Sequence, residues 1–351
     1  MIKAEAPAPA TRITSASWGY SRAITLLAIL IMLGLLAWRL SDVFLLLFAA
    51  IIVAVALRNF AAPLEGHLKL SQRLAVGAAV VGALLVISLG SWLLGDRLIT
   101  QTEDLRQRLP AALAALVAWA EGHPAGAVVL DVWESASADD VPWSRVANAA
   151  TRTLGAVGSI LLTVVIGVYL AADPSLYRQG LVRLVPPVYR ARIDDALLAS
   201  GHALSRWLLG QGISMLFVGL TTALGLALLG MPLAGTIGVI AGILAFIPFF
   251  GPIASGILAA LLAFMQGPDQ VLYVAGLCFA IQQIEGNVLM PFVQRWAVAL
   301  PPVLGITAAV IFGLLFGMPG VILASPLMVV VMVLVSKLYV EDILEVSERP
   351  E

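Results

Sequence analysis

Two long apolar stretches in the last third of the chain are each broken at mid-length by proline and glycine, and such breaks leave few folds open. The first, residues 231–264, breaks at Ile247-Pro248-Phe249-Phe250-Gly251-Pro252; the second, residues 300–336, breaks at Gly317-Met318-Pro319-Gly320. Lipid supplies no partner for a free backbone N–H or C=O, so a helix interrupted at membrane depth must be shielded by protein or line a cavity. Paired interruptions in one chain are a sequence-level pointer to a substrate or ion site.

Composition places these stretches in a membrane. The 351 residues are 61% hydrophobic and 12% charged, where an ordinary soluble domain carries about 25% charge, and the mean hydropathy is +1.00. The net charge of −1 gives no basis for a nucleic-acid partner. Cys278 is the single cysteine, so an intramolecular disulfide is excluded. The three histidines are scattered without metal-ligand spacing, and no phosphate-binding glycine motif occurs, so no cofactor is expected and an ATP-driven pump is disfavoured.

The pattern predicts an all-α polytopic membrane protein with about six full transmembrane helices plus two broken hairpins. Residues 1–22 read as a cytoplasmic tail rich in Ala, Pro, Ser and Thr. The apolar run that follows continues into a second span without a clear cleavage site, which argues against a removed signal peptide. Residues 23–95 hold spans 1–3, at about 23–38, 43–57 and 74–95. Residues 96–152 form an external segment, and residues 153–340 form a core containing spans at about 153–172, 207–230 and 270–290 and the hairpins at about 231–266 and 300–337. Residues 341–351 are a second cytoplasmic tail. Each span is near the length that crosses a core of about 30 Å. Arg58, Lys69 and Arg73 after span 2, and the arginines from Arg178 to Arg206 after span 4, place those loops and both termini inside. The segment from Asp96 to Thr151 holds eight acids against four arginines and goes outside.

That segment opens amphipathically, with Leu98, Thr102, Leu105, Leu109, Leu113 and Leu116 at three- and four-residue steps, and carries Trp119, Trp133 and Trp143. It is expected to lie on the outer leaflet or the protein's own surface, the alternative being a face for a partner or another subunit. In the fifth span, Gly219, Ala223 and Ala227 recur every four residues, a stripe that lets another helix approach closely.

Chemistry concentrates in two places. Each break frees backbone groups, because proline removes a donor and disrupts the preceding turn. The carbonyls of Leu244 and Ala245, ahead of Pro248, are candidates to face a cavity, with Gly251 and Pro252 beyond them and Pro319 and Gly320 in the second break. The breaks align loosely with each other, as in a degenerate internal repeat. Between them, Gln282, Gln283, Glu285 and Asn287 cover an arc of about 200° at 100° per residue, too wide to face lipid. A carboxylate inside an apolar span is a functional hypothesis by default. Glu285 would bind a cation or carry a proton, with Asn287 and the glutamines as neutral hydrogen-bonding groups. The competing expectation puts Glu285 at the membrane edge, paired with Arg295.

Taken in order, several pieces resemble one family. Leu229-Gly230-Met231-Pro232 followed by Ala245-Phe246-Ile247-Pro248-Phe249-Phe250-Gly251-Pro252 is similar to the central signature of the AI-2E transporter family, the autoinducer-2 exporter-like permeases. Gln283-Ile284-Glu285-Gly286-Asn287-Val288-Leu289-Met290-Pro291 resembles its second signature. Leu300-Pro301-Pro302 and Phe316-Gly317-Met318-Pro319-Gly320-Val321-Ile322-Leu323-Ala324-Ser325-Pro326-Leu327 resemble its closing segment. The chain departs from the pattern after Pro291, where Val293-Gln294-Arg295-Trp296 replaces a small turn. The resemblance implies a non-enzymatic secondary carrier of the bacterial inner membrane and a homo-oligomer, with a pentamer as the assembly considered. It implies either export of the quorum-sensing molecule autoinducer-2 or Na⁺(Li⁺)/H⁺ antiport. A third reading, from another class, is a membrane scaffold that recruits a partner through the external segment.

Overall fold

The computed structural model describes residue 32 and residues 39–121, 143–295 and 300–344. The expected first tail, most of the first span, Trp133 and residues 345–351 lie outside them. The chain divides into a short unit, residues 1–45, and a large one, residues 46–351; the features below lie in the large one. Among the described residues there is no strand, and five helices are long and apolar enough to cross a membrane, or six with one bent pair counted as a span. The protein is an all-α, multi-pass membrane protein.

Helix α1 (Ser41–Leu68) turns at Lys69 into α2 (Gln72–Glu121). Alanines make the close contact: Ala54, Ala61, Ala75, Ala79 and Ala171 are buried in one cluster. Helix α2 differs from the sequence-based segmentation, for it runs unbroken through the expected boundary at residue 95. Leucines and alanines at helical spacing continue past the polar residues, and no Gly-Pro pair stops them; Pro110 is accommodated inside the helix. Its second half packs on the protein itself. Ala112 is buried among Leu226, Ile237, Ala259 and Leu262, the Thr236 hydroxyl donates to Gln101 Oε1 at 2.6 Å, and Trp119 meets Phe264 edge-on at 5.5 Å.

Helix α3 (Trp143–Ala172) ends at Asp173, and α4 (Pro174–Arg183) leaves at 88° to residues 158–172. The corner sets α4 nearly perpendicular to the last half of α3. After a short 3₁₀ turn comes α5 (Arg190–Leu228), the post on which the rest is built. Its 39 residues extend roughly 58 Å at 1.5 Å per residue.

The first broken stretch is a hairpin. Helix α6 (Ala234–Leu244) descends along α5 and α7 (Phe250–Ala263) returns. The pairing of α6 with α5 is antiparallel and very close: a Cβ on Gly238 would collide with Ala223 and the Gly219 carbonyl, and one on Gly242 with the Met215 carbonyl. The Gly219/Ala223 stripe thus has the use expected of it. Helix α8 (Pro268–Ile284) runs back down α5, continues through a π-helical turn (Glu285–Leu289), and ends as α9 (Met290–Gln294).

The second broken stretch is also folded in space. Within α10 (Pro302–Val335), Gly317 has φ 66° and ψ −149°. Across that kink Ala308 and Ala309 are buried against Ala324, and a Cβ on Gly313 would meet Val321 at 2.8 Å. Residues 302–316 and 318–335 are therefore two arms of a second hairpin. The returning arm runs antiparallel to α5: Val329 packs among Ala203, Leu204 and Trp207, and Lys337 lies 3.5 Å from Asp195. The tip of the first hairpin points toward the N-terminal end of α5 and the tip of the second toward its C-terminal end.

Candidate functional site

Where the first hairpin's tip meets α5, the start of the π turn and the first turn of α10, the large unit encloses a cavity of about 310 Å³. Among the described residues, Glu285 is the one acidic or basic side chain in its lining. The residue is 9% exposed, and the Ser214 hydroxyl donates to its Oε1. It makes no ion pair among the described residues, and Arg295, the sequence-based candidate partner, is on the surface. The site is thus inside the helix assembly, held by a neutral donor. Extra-wide turns such as this π segment occur preferentially at functional sites, because they shift the register of one face.

The polar arc divides in two. Gln282 and Glu285, three residues apart, line the cavity, whereas Gln283 and Asn287 are exposed on the outer side of the helix. Taking Gln282 as zero, Glu285 stands at about −60°, while Gln283 and Asn287 stand at about 100° and 140°. One helix cannot aim all four inward.

Of the break residues, Pro248 and Pro252 line the cavity. Gly251 lies beneath them, buried, because a Cβ there would overlap the Leu244 carbonyl as the returning arm crosses the descending one. Gly320 has the same role at the second tip, against the Phe312 carbonyl. Neither Pro319 nor Gly320 reaches the cavity; the second hairpin contributes its base instead, Pro301, Pro302 and Gly305. The two breaks do not converge, since the hairpins approach from opposite ends of α5. Nor are the freed carbonyls bare: Leu244 accepts from the Ile247 N–H at 2.9 Å, and Ala245 accepts from Gln211 Nε2 at 2.6 Å.

Sequence reasoning missed the wall supplied by α5. Trp207, Gln211 and Ser214 follow one another at helical steps, and both polar side chains are buried. Trp207 meets Phe246 edge-on at 5.9 Å. The signal was present: Gln211 and Ser214 are polar residues inside an apolar span, the criterion that singled out Glu285. No group of three or more His, Cys, Asp or Glu residues comes together among the described residues to hold a metal.

Opposed hairpins folded on one long helix, beside a half-enclosed cavity with a buried carboxylate, form the architecture of a polytopic membrane protein with a polar site among its helices. The family described as AI-2E family transporter matches residues 27–339, and the chain belongs to that family. It is similar to YrrI of Bacillus subtilis, 30% identical over 158 residues, which are 45% of each chain. A Mycobacterium tuberculosis protein is 27% identical over 259 residues, 71% of this chain and 69% of that one. YueF of Bacillus subtilis is 27% identical over 191 residues, 53% and 52% of the two chains. All three carry provisional names as transport proteins. The chain spans about half the length of the two Bacillus proteins that it matches.

Proposed function

We propose that this protein is a secondary transporter of the bacterial cytoplasmic membrane that exports a small polar solute of the autoinducer-2 type, driven by an ion gradient. The observation that carries the reading is Glu285, buried in a cavity and, among the described residues, bonded by a hydroxyl. A volume of about 310 Å³ falls at the lower end of small-molecule sites. Among the described residues no Lys, Arg or His lines it, so it favours a cation or a neutral hydroxyl-bearing solute over an anion. Gln211 and Gln282 supply neutral donors and acceptors, and Trp207 with the prolines supplies apolar walls.

A second reading, Na⁺(Li⁺)/H⁺ antiport with no organic solute, draws on the same carboxylate, which would hold the cation and the proton in turn. Purified protein in liposomes separates the two, with counterflow of a labelled small polyol and Na⁺-driven change of internal pH measured side by side. Solute counterflow that survives in weakened form in Glu285→Gln, without Na⁺-driven acid movement, supports the exporter. Acid movement abolished by Glu285→Gln, without solute flux, supports the antiporter. Folded protein active in neither assay sinks both.

A further inference from the structure

The first hairpin turns on a residue ill suited to its backbone. Phe249 has φ 68° and ψ −50°, and the Phe250 N–H donates to the Pro248 carbonyl at 2.8 Å. A bond across one residue at such angles is the rare, strained form of the γ-turn, and a bulky side chain at positive φ is an outlier. The second hairpin supplies a comparison within the same chain. It places glycine, Gly317 at φ 66°, at the positive-φ position of its tip, where a missing Cβ removes the steric cost. Each tip is followed at once by its arm-crossing glycine, Gly251 two residues after Phe249 and Gly320 three residues after Gly317. A glycine would therefore make this kind of tip without strain, and strain that persists in a fold marks a place where the side chain is used.

The ring of Phe249 reaches across the cavity. A Cβ on Gly305 would meet Phe249 Cε2 at 3.7 Å and Leu300 Cδ2 at 3.3 Å, and Phe249 and Gly305 both line the Glu285 cavity. Phe249 is 43% exposed, so it stands at the rim and not in the core. The tip that carries it is fixed on α5 by the Gln211–Ala245 bond and the Phe246–Trp207 contact. A fixed backbone holds the Cα–Cβ direction of Phe249, so the ring leaves the rim only by changing its χ1 rotamer.

We propose that Phe249 is the specificity-determining residue of the Glu285 cavity: its ring, aimed by a strained γ-turn, bridges the first hairpin's tip and Gly305 and admits only solutes slim enough to pass. The proposal rests on the cavity being the transport site.

The test reads access and not flux. Full-length protein carrying Cys278→Ala and a reporter cysteine from Gln282→Cys is reconstituted in liposomes. It is then treated with a small methanethiosulfonate or with a bulky biotin maleimide. With Phe249 present, the small reagent modifies the reporter, and the bulky one reacts about tenfold or more slowly than it does after Phe249→Gly, which suits the backbone and relieves the turn. Phe249→Ala keeps the strained position without the ring and should admit the bulky reagent as well. Equal rates for the bulky reagent with and without the ring overturn the proposal. A ring-dependent barrier, when the protein with Gln282 and Phe249 intact moves no solute in the same liposomes, supports the barrier and counts against the transport reading.

Discussion

At the scale of single residues, the carboxylate of Glu285 depends on one neighbour. The Ser214 hydroxyl is its donor, and both groups are buried. Removing that donor leaves a buried acceptor short of a partner, at a cost of about 1–3 kcal/mol. Ser214→Ala should therefore lower the unfolding midpoint of the protein in detergent, and Ser214→Ala combined with Glu285→Gln should lower it by less than the sum of the single changes. Strictly additive effects would show that the two side chains do not act as a pair. Glu285 was legible in the sequence because a carboxylate in an apolar run is conspicuous; Ser214 was not, because a serine in a membrane helix is ordinary until its partner is known. Asn287 misled for a related reason. Polarity along the chain reveals that a helix avoids lipid on some side, but not which of its polar residues turns inward.

At the scale of elements, the hairpins are made by crossings as much as by their prolines. Gly251 and Gly320 each sit where the returning arm passes over a carbonyl of the descending arm. The obstruction at both is backbone, which no rotamer change relieves, so overpacking should cost toward the upper end of about 1–3 kcal/mol. Gly251→Ala and Gly320→Ala are expected to destabilise the protein in a thermal-shift assay. Gly256→Ala and Gly276→Ala, where a Cβ meets nothing within 4 Å, should be neutral or stabilising; equal losses at all four positions would contradict the crossing geometry. The breaks, their glycines and the close α5–α6 seam were readable from local spacing. The opposite approach of the hairpins was not, because Gly317 and Pro248 interrupt their helices similarly in sequence, and only long-range packing sets direction. The length of α2 was hidden by the same limit. Nothing local distinguishes an amphipathic helix that begins afresh at residue 96 from a span that simply continues.

At the scale of the whole molecule, α4 ties the membrane surface to the post that carries the site. Tyr177 and Leu181, four residues apart, are exposed on one face of it, while Arg178 lies 3.3 Å from Asp194 on α5. An amphipathic helix in the membrane plane stays at the depth where headgroups meet acyl chains. Since α4 leaves α3 at 88°, that depth is fixed for the end of α3 and, through the ion pair, for the emerging part of α5. Gln211 and Ser214 lie farther along the same helix. The α3–α4 corner is therefore a depth gauge, and bilayer thickness becomes an input to the cavity. Hydrophobic mismatch costs fractions of a kcal/mol per Å, small beside folding but comparable to the differences that bias a moving part. Transport by protein in phosphatidylcholine vesicles of increasing acyl length should pass through an optimum, and Arg178→Gln, which cuts the tie, should flatten it. An optimum unchanged in Arg178→Gln would show that α5 takes its depth from elsewhere.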